Sequence, residues 1–126
     1  MDRESVQLWL DKYIDAWRTY DPAQIGDLFS EDALYFYSPF DENDPLRGRD
    51  AIVADWRREP NEPGSWEARY APVAVEDNVA VAQGRTRYFA PDGSIERHFD
   101  NIFVLHFDDA GRCTRFTEWF MQPRGT

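Results

Sequence analysis

The chain has little cysteine, little positive charge and no long apolar run. Cys113 is the single cysteine, which excludes an intrachain disulfide and any zinc site built from several cysteines. No segment approaches the roughly 18 consecutive apolar residues that a transmembrane helix needs. The N-terminus opens on charged residues and lacks the apolar stretch of a signal peptide. We therefore expect a reduced, cytoplasmic protein.

Basic residues are also scarce: the chain has 14 Lys and Arg against 24 Asp and Glu, which gives a formal charge of −10. Proteins that bind nucleic acid or an anionic membrane surface neutralise phosphates with cations, so we expect neither partner. The acidic loop 41–45 lacks the ligand spacing of a calcium loop. We expect neither a metal site nor a cofactor.

What the chain does have is apolar and aromatic side chains. Of its 126 residues, 42% are hydrophobic and 16% aromatic, which suits a single domain over 1–126 with one core. Helical spacing from Val6 to Trp17 predicts a helix over 3–19. Asp21-Pro22-Ala23-Gln24 combines an N-cap, a proline at the first helical position and a capping-box glutamine, and it predicts a short helix to about Phe29. A third helix is predicted over 49–58.

The rest of the chain is typical of β-strands. One strand is predicted over 33–37, and four longer ones over 66–75, 79–89, 95–107 and 112–121. Short turns separate the four long strands, which predicts an antiparallel meander. Because the helices are segregated from the strands, the fold class is α+β.

Three segments match a known family in the order in which they occur. Residues 29–33 (FSEDA) lead into a strand, residues 46–52 (LRGRDAI) open the third helix, and residues 109–112 (DAGR) form a turn. Together they resemble the SnoaL-like branch of the nuclear-transport-factor-2-like (cystatin-like cone) superfamily over almost the whole chain. The resemblance implies three N-terminal helices on a strongly curved, mostly antiparallel sheet, an internal pocket, and a homodimer through the convex sheet face. Members include isomerases, cyclases, hydrolases and non-catalytic binders, so the fold does not select a reaction.

Ketosteroid-isomerase-like members use a tyrosine on the first helix, an aspartate base after the first strand and an acid on a late strand. Tyr13 fits the tyrosine, but Ser38 stands at the base position and Phe103 at the late acid. Serine does not titrate near neutral pH, so this set of residues is not intact. The Asp/His pair of SnoaL-type cyclases does not map cleanly onto the chain either.

Limonene-epoxide-hydrolase-like members share more positions with this chain. Tyr35 and Arg85 match a tyrosine and an arginine of that family, and Glu118 fits the place of one of its two acids. Tyr37 replaces an asparagine, and Arg87 replaces the second acid with a permanent cation. The resemblance leaves Glu118, Arg85 and Tyr35 as the candidate catalytic residues.

Strand side chains alternate between faces, so one inward residue orients a whole strand. The resemblance implies that Glu118 faces inward, so we expect Phe116 and Phe120 to face inward as well, and Arg115, Thr117, Trp119 and Met121 to face the dimer side. We expect Gln83, Arg85 and Arg87 to face inward and Ala80, Ala82, Gly84 and Thr86 outward. On the neighbouring strand we expect Asn101 and Phe103 inward, and His98, Asp100 and His106 outward.

These assignments predict a ligand pocket lined by Tyr13, Trp17, Tyr35, Tyr37, Trp56, Gln83, Arg85, Arg87, Asn101, Phe103, Phe116 and Glu118. Two enclosed arginines with one glutamate leave a cation for an anionic or acceptor-bearing ligand, and the aromatic wall favours a compact ring. The alternative is that both arginines are paired structurally. The sequence thus predicts a small-molecule binder of unassigned chemistry, and whether it is an enzyme stays open. The alternatives are a non-catalytic dimeric accessory domain and a hydrolase or isomerase with an altered catalytic set.

Overall fold

A computed structural model describes residues 1–125, which form three α-helices and one six-stranded sheet. Two helices precede the first strand, and the third follows the second strand. The helices are α1 (Arg3–Thr19), α2 (Pro22–Asp27) and α3 (Arg49–Arg58). The strands are β1 (Phe29–Phe36), β2 (Leu46–Arg47), β3 (Trp66–Glu76), β4 (Val79–Phe89), β5 (Ile95–Phe107) and β6 (Cys113–Met121), with a 3₁₀ turn at Pro39–Asp41. No helix within these residues is long and apolar enough to cross a membrane.

Helix caps explain where the first two helices begin. The Asp2 carboxylate accepts from the Ser5 backbone N–H at 2.8 Å and starts α1. Asp21 caps α2 in the same way, accepting from the Gln24 backbone N–H at 3.0 Å. The Gln24 side chain accepts from the Thr19 hydroxyl instead of from the Asp21 backbone N–H. Of the two hydrogen bonds of the predicted capping box, the structure therefore has the one from the Gln24 backbone to Asp21. Helix α2 ends before the predicted limit because Phe29 already belongs to β1.

The sheet has the strand order β2-β1-β6-β5-β4-β3. Strands β3 to β6 pair antiparallel with their sequence neighbours, and β1 pairs parallel with β6. Register shifts interrupt the pairing near Pro72, Tyr88 and His106, and such irregularities bend and twist strands. The result is a curled, open, mixed sheet with helices on its inner face, which confirms the predicted α+β cone.

Strand β4 faces the opposite way from the prediction. Ala80, Ala82 and Thr86 are 1%, 0% and 3% exposed and face inward, whereas Gln83, Arg85 and Arg87 are exposed on the outer face. Gly84 shares the inner face, where an added Cβ would lie 1.9 Å from the Arg69 carbonyl oxygen. The small residues let β3 and Tyr70 pack closely against β4, and two arginine charges stay in water, where burial would cost several kcal/mol per unpaired ion.

Candidate functional site

A cavity of about 480 Å³ lies between the helices and the inner face of the sheet. Its lining is predominantly aromatic, and a few polar side chains converge on it, which is the usual make-up of a small-molecule site. The lining residues are Tyr13, Trp17, Tyr20, Tyr35, Tyr37, Asp55, Trp56, Glu59, Asn61, Tyr70, Thr86, Tyr88, Arg97, Phe99, Asn101, Glu118 and Phe120.

A chain of hydrogen bonds crosses the four meander strands beneath the cavity. The Tyr70 hydroxyl on β3 lies 2.5 Å from Thr86 Oγ1 on β4, and Thr86 donates to Asn101 Oδ1 on β5 at 2.9 Å. Asn101 Nδ2 then donates to Glu118 Oε2 on β6 at 2.7 Å. Because the Thr86 hydroxyl donates to Asn101, it accepts from Tyr70, and every bond in the chain therefore points its hydrogen toward Glu118.

Glu118 is the titratable group at the centre of this arrangement. Burial raises the pKa of its carboxyl to about 7, and the hydrogen bond from Asn101 partly opposes that shift. Within residues 1–125, Glu118 forms no salt bridge. A carboxyl held at this pKa can donate or accept a proton near neutral pH.

Two buried tyrosine hydroxyls lie on the walls near Glu118. Tyr13 on α1 and Tyr35 on β1 place their hydroxyl oxygens 3.3 Å apart, and both rings stack on Phe116. Burial raises the pKa of both phenols well above the ordinary value, and the negative charge of Glu118 adds to the shift. Both groups are therefore neutral hydroxyls that can donate to a ligand oxygen.

Asp55 and Arg97, two charged residues of the lining, have partners of their own. The Tyr37 hydroxyl donates to Asp55 Oδ2 at 2.6 Å, and Arg58 lies 3.2 Å from the other Asp55 oxygen. The guanidinium of Arg97 sits over the Tyr88 ring, 4.7 Å from its centroid. Glu118 differs from Asp55 because its neighbour Asn101 is uncharged.

Most of the predicted pocket residues reach the cavity. Those that line it are Tyr13, Trp17, Tyr35, Tyr37, Trp56, Asn101 and Glu118. Phe103 and Phe116, at 1% and 0% exposure, lie in the core instead of the lining. They pack against Tyr13 and hold its ring, so their role is to support the wall.

Gln83, Arg85 and Arg87 were expected in the pocket and lie outside it. Arg85 pairs with Asp100 at 3.3 Å and Arg87 with Glu67 at 3.3 Å, both on the outer face. Gln83 also donates to Asp100. Arg85 is therefore not a catalytic candidate, and the predicted pocket cations are absent; Glu118 and Tyr35 keep the positions expected of them.

The outward assignment on β5 is confirmed. His98 and Asp100 pair across the sheet with Arg87 and Arg85, and His106 pairs with Arg115. Among residues 1–125 there is no group of three or more His, Cys, Asp or Glu side chains that could hold a metal ion.

Sequence reasoning missed several lining residues for which a signal existed. Arg97 and Phe99 share the strand parity that places Asn101 inward. Tyr88 shares the parity of Thr86, so it was missed because β4 was oriented the wrong way. By contrast, Asn61 lies in an irregular loop, where Tyr20 accepts from its backbone N–H at 2.9 Å, and no periodic pattern predicts that contact.

Comparisons with known proteins agree with the fold and with the span of the chain. The family model described as "SnoaL-like domain" matches residues 10–116. Among curated proteins, none matches the chain.

Solved structures give the same architecture at low identity. An NTF-2-like protein of unknown function from Burkholderia xenovorans LB400 has a TM-score of 0.71 and 19% identity, over 98% of this chain and 88% of that chain. A putative ketosteroid isomerase from Kribbella flavida DSM 17836 has a TM-score of 0.71 and 17% identity, over 99% and 84%. An NTF2-like protein of unknown function from Cytophaga hutchinsonii ATCC 33406 has a TM-score of 0.65 and 13% identity, over 91% and 98%. At these identities the likeness concerns the fold alone.

Proposed function

Since the chain belongs to the SnoaL-like domain family, we propose that it binds a compact, ring-bearing small molecule in its cavity and exchanges a proton with it through Glu118. The observation that carries the proposal is the position of Glu118: its carboxyl lies among aromatic side chains, accepts a hydrogen bond from Asn101, and has no salt-bridge partner among the described residues. A general acid or base works best when its pKa lies near the operating pH.

The cavity itself favours a binder over an accessory domain whose cone is filled by its own side chains. About 480 Å³ is within the range of small-molecule sites, and aromatic and hydroxyl-bearing side chains line the cavity. An accessory role without a ligand would leave the cost of enclosing Glu118 unexplained, because a buried carboxyl without a counter-charge destabilises the fold whenever it ionises.

The geometry suits an isomerase-type proton transfer better than epoxide hydrolysis. With Arg85 on the outer face, Glu118 is without the arginine of the hydrolase set, and Ser38 supplies no base. In the reaction proposed here, the Glu118 carboxylate accepts a proton from one ligand atom and the resulting acid returns it to another. Tyr13 and Tyr35 would donate to the oxygen on which negative charge develops in between.

A ring-shaped proton-transfer probe tests this directly. Nitrobenzisoxazole loses its ring C–H proton to a base, its N–O bond breaks, and a coloured cyanophenolate forms. The unmodified protein should accelerate this ring opening, and Glu118→Gln should slow it by about 100-fold or more, the usual size of a general-base contribution. Glu96→Gln, on an exposed part of β5, is the matched control and should leave the rate unchanged.

Binding is measured separately, by titrating naphthol against the unmodified protein in a calorimeter. Naphthol binding without any ring opening would overturn the proton-transfer role and leave a binder. If neither naphthol binding nor ring opening occurred, the accessory-domain alternative would replace the whole proposal.

A further inference from the structure

We propose that the pocket selects ligands bearing an organic cation, such as a protonated amine or a quaternary ammonium group, next to a ring. The inference rests on the proposed function, because it assumes that the cavity holds a small molecule. It replaces the anionic ligand expected from the sequence, since Arg85 and Arg87 lie on the outer face and are paired there with Asp100 and Glu67.

The charges around the cavity are unbalanced toward the negative side. The residues lining it include three carboxylates, Asp55, Glu59 and Glu118, and one arginine, Arg97. Asp55 is already satisfied by Tyr37 and Arg58, at 2.6 and 3.2 Å. Arg97 is exposed at the rim, where its charge acts on Tyr88. Glu118 is left with the uncharged amide of Asn101, so a ligand cation would supply the counter-charge that residues 1–125 do not.

The walls add a second attraction for a cation. A positive group within about 6 Å of an aromatic ring centroid is stabilised by the negative face of the ring, and cages of such rings are a common means of recognising quaternary ammonium groups. Tyr13, Trp17 and Trp56 stand together on the helical side of the cavity, with ring centroids of Tyr13 and Trp56 5.2 Å apart. Tyr35 and Tyr37 continue the wall on the β1 side, with centroids 4.8 Å apart.

An anionic ligand would meet the opposite conditions. It would approach Glu118, Asp55 and Glu59 within a protein of net charge −10, and Arg97 is the one lining cation among the described residues that could offset them. The two attractions for a cation act in the same place, because Glu118 and the rings of Tyr13, Tyr35 and Tyr37 line one cavity.

Three probes of nearly equal shape separate charge from fit. Hydroxyphenyl-trimethylammonium, tert-butylphenol and hydroxybenzenesulfonate carry a cation, a neutral group and an anion of the same tetrahedral form on one ring. Titrated calorimetrically into the unmodified protein at about pH 8, the cation should bind roughly tenfold or more tighter than the neutral probe, and the sulfonate weakest. Glu118→Gln keeps an acceptor for Asn101 and should remove most of the cation preference, whereas Glu96→Gln should not change it.

The outcome on the unmodified protein decides the inference even if a variant fails to fold. Equal affinities, or tighter binding of the sulfonate through Arg97, would overturn it while leaving the small-molecule function in place. Failure of all three probes while naphthol still binds would overturn the cation preference alone. Failure of the three probes and of naphthol would overturn the proposed function as well.

Discussion

The side-chain amide of Asn101 donates to the carboxylate of Glu118 at 2.7 Å. Thr86 donates to the amide oxygen of Asn101, so the NH₂ group is the end that remains to face Glu118. A donor in this position stabilises the ionised carboxylate, whereas burial stabilises the neutral acid. Burial is the larger effect, and the pKa of Glu118 rises to about 7. At neutral pH both protonation states of the group are therefore accessible.

The raised pKa makes the stability of the fold depend on pH in a specific direction. The unfolded chain binds its Glu118 proton with a pKa near 4.3, whereas the folded chain binds it with a pKa of about 7. Between these values the folded state holds more protons, so the free energy of unfolding falls as pH rises and levels off above about 7. Glu118→Gln removes this loss, and the variant should be more stable than the unmodified protein by about 3 kcal/mol at pH 8.

Denaturant titrations of both proteins over a pH series check this expectation. The two curves should converge near pH 4, where the glutamate is neutral like the glutamine. Glu96→Gln serves as the control. Because the Glu96 side chain is exposed, this variant should not change how the free energy of unfolding depends on pH between about 4 and 7. A Glu118→Gln variant that is less stable at pH 8, or equally offset at all pH values, would contradict the assignment of Glu118 as an enclosed, unpaired acid.

The middle of the hydrogen-bond chain offers an independent test. Thr86→Val keeps the shape of the side chain but removes the hydroxyl that joins Tyr70 to Asn101. Two buried polar groups then lose a partner, at a cost of about 1–3 kcal/mol each. The amide of Asn101 is also released, so the pKa of Glu118 should rise above about 7.

Thr86→Ser is the matched variant, since it keeps the hydroxyl and should preserve the pKa. The stability is measured by denaturation, and the pKa by the pH at which the rate of nitrobenzisoxazole opening reaches half its plateau. Because the ionised carboxylate is the base in that reaction, the rate should rise with pH through about 7 in the unmodified protein. A Val variant with unchanged stability and an unchanged profile would show that the chain does not position Glu118.

Local patterns predicted the three helices and the four long strands of this fold, but they missed the two-residue strand β2 and placed the start of β1 at 33 instead of Phe29. Helix α3 and strands β4 and β5 have the predicted bounds, because apolar periodicity and short polar turns both point to the same limits. The orientation of β4 was wrong for a different reason. The face of β4 was assigned from the family match of Arg85. The sequence of β4 alone points the other way, because small residues (Ala80, Ala82, Gly84) alternate with polar ones (Gln83, Arg85, Arg87), and the polar set would then face water.

The site residues were predictable where strand parity or helical spacing determines which way a side chain points. The family resemblance gave the inward direction of Glu118 on β6, strand parity placed Asn101 on the same side of β5, and helical spacing placed Tyr13 and Trp17 on one helix face. The hydrogen-bond chain from Tyr70 to Glu118 needs the register of four strands at once, and that register depends on bulges near Pro72 and Tyr88. Single-strand patterns carry no information about such offsets, so Thr86 and Tyr70 were not predicted as partners of the acid.

Gly84 tests the close approach of β3 and β4 that shapes the inner face. An added Cβ there would lie 1.9 Å from the Arg69 carbonyl oxygen and 2.7 Å from the Tyr70 Cα, both backbone atoms that cannot move independently. Gly84→Ala should therefore lower the free energy of unfolding by about 3 kcal/mol, at the upper end of the usual cost of overpacking.

Gly26→Ala is the control for adding one methyl group, because its Cβ would meet the Arg49 side chain at 3.4 Å within α2, where alanine is the better helix former. Thermal or denaturant unfolding of both variants gives the comparison. Equal stabilities for the two alanine variants would mean that β3 does not approach β4 as closely as described.

The last prediction concerns the outer face of the sheet, which we propose as the interface of a homodimer. Trp119 on β6 pairs directly with Ile102 on β5, and the two lie on the side of the sheet that carries no helix. Trp119 and Met121 are 43% and 74% exposed, and an apolar patch of this kind on a sheet is typical of an association surface. Ala80, Ala82 and Gly84, which were expected on this face, lie on the inner side and take no part in it.

Trp119→Glu should convert the dimer to a monomer, because the partner face would have to bury an unpaired carboxylate in the middle of the contact. Phe40→Glu introduces the same charge at a side chain that is 94% exposed on the 3₁₀ turn, and this control should remain dimeric. Sedimentation velocity at micromolar concentration distinguishes the two states. The pocket opens on the inner face, so the Trp119→Glu monomer should still bind naphthol; a monomeric unmodified protein, or a Trp119→Glu variant that stays dimeric, would place the interface elsewhere or remove it.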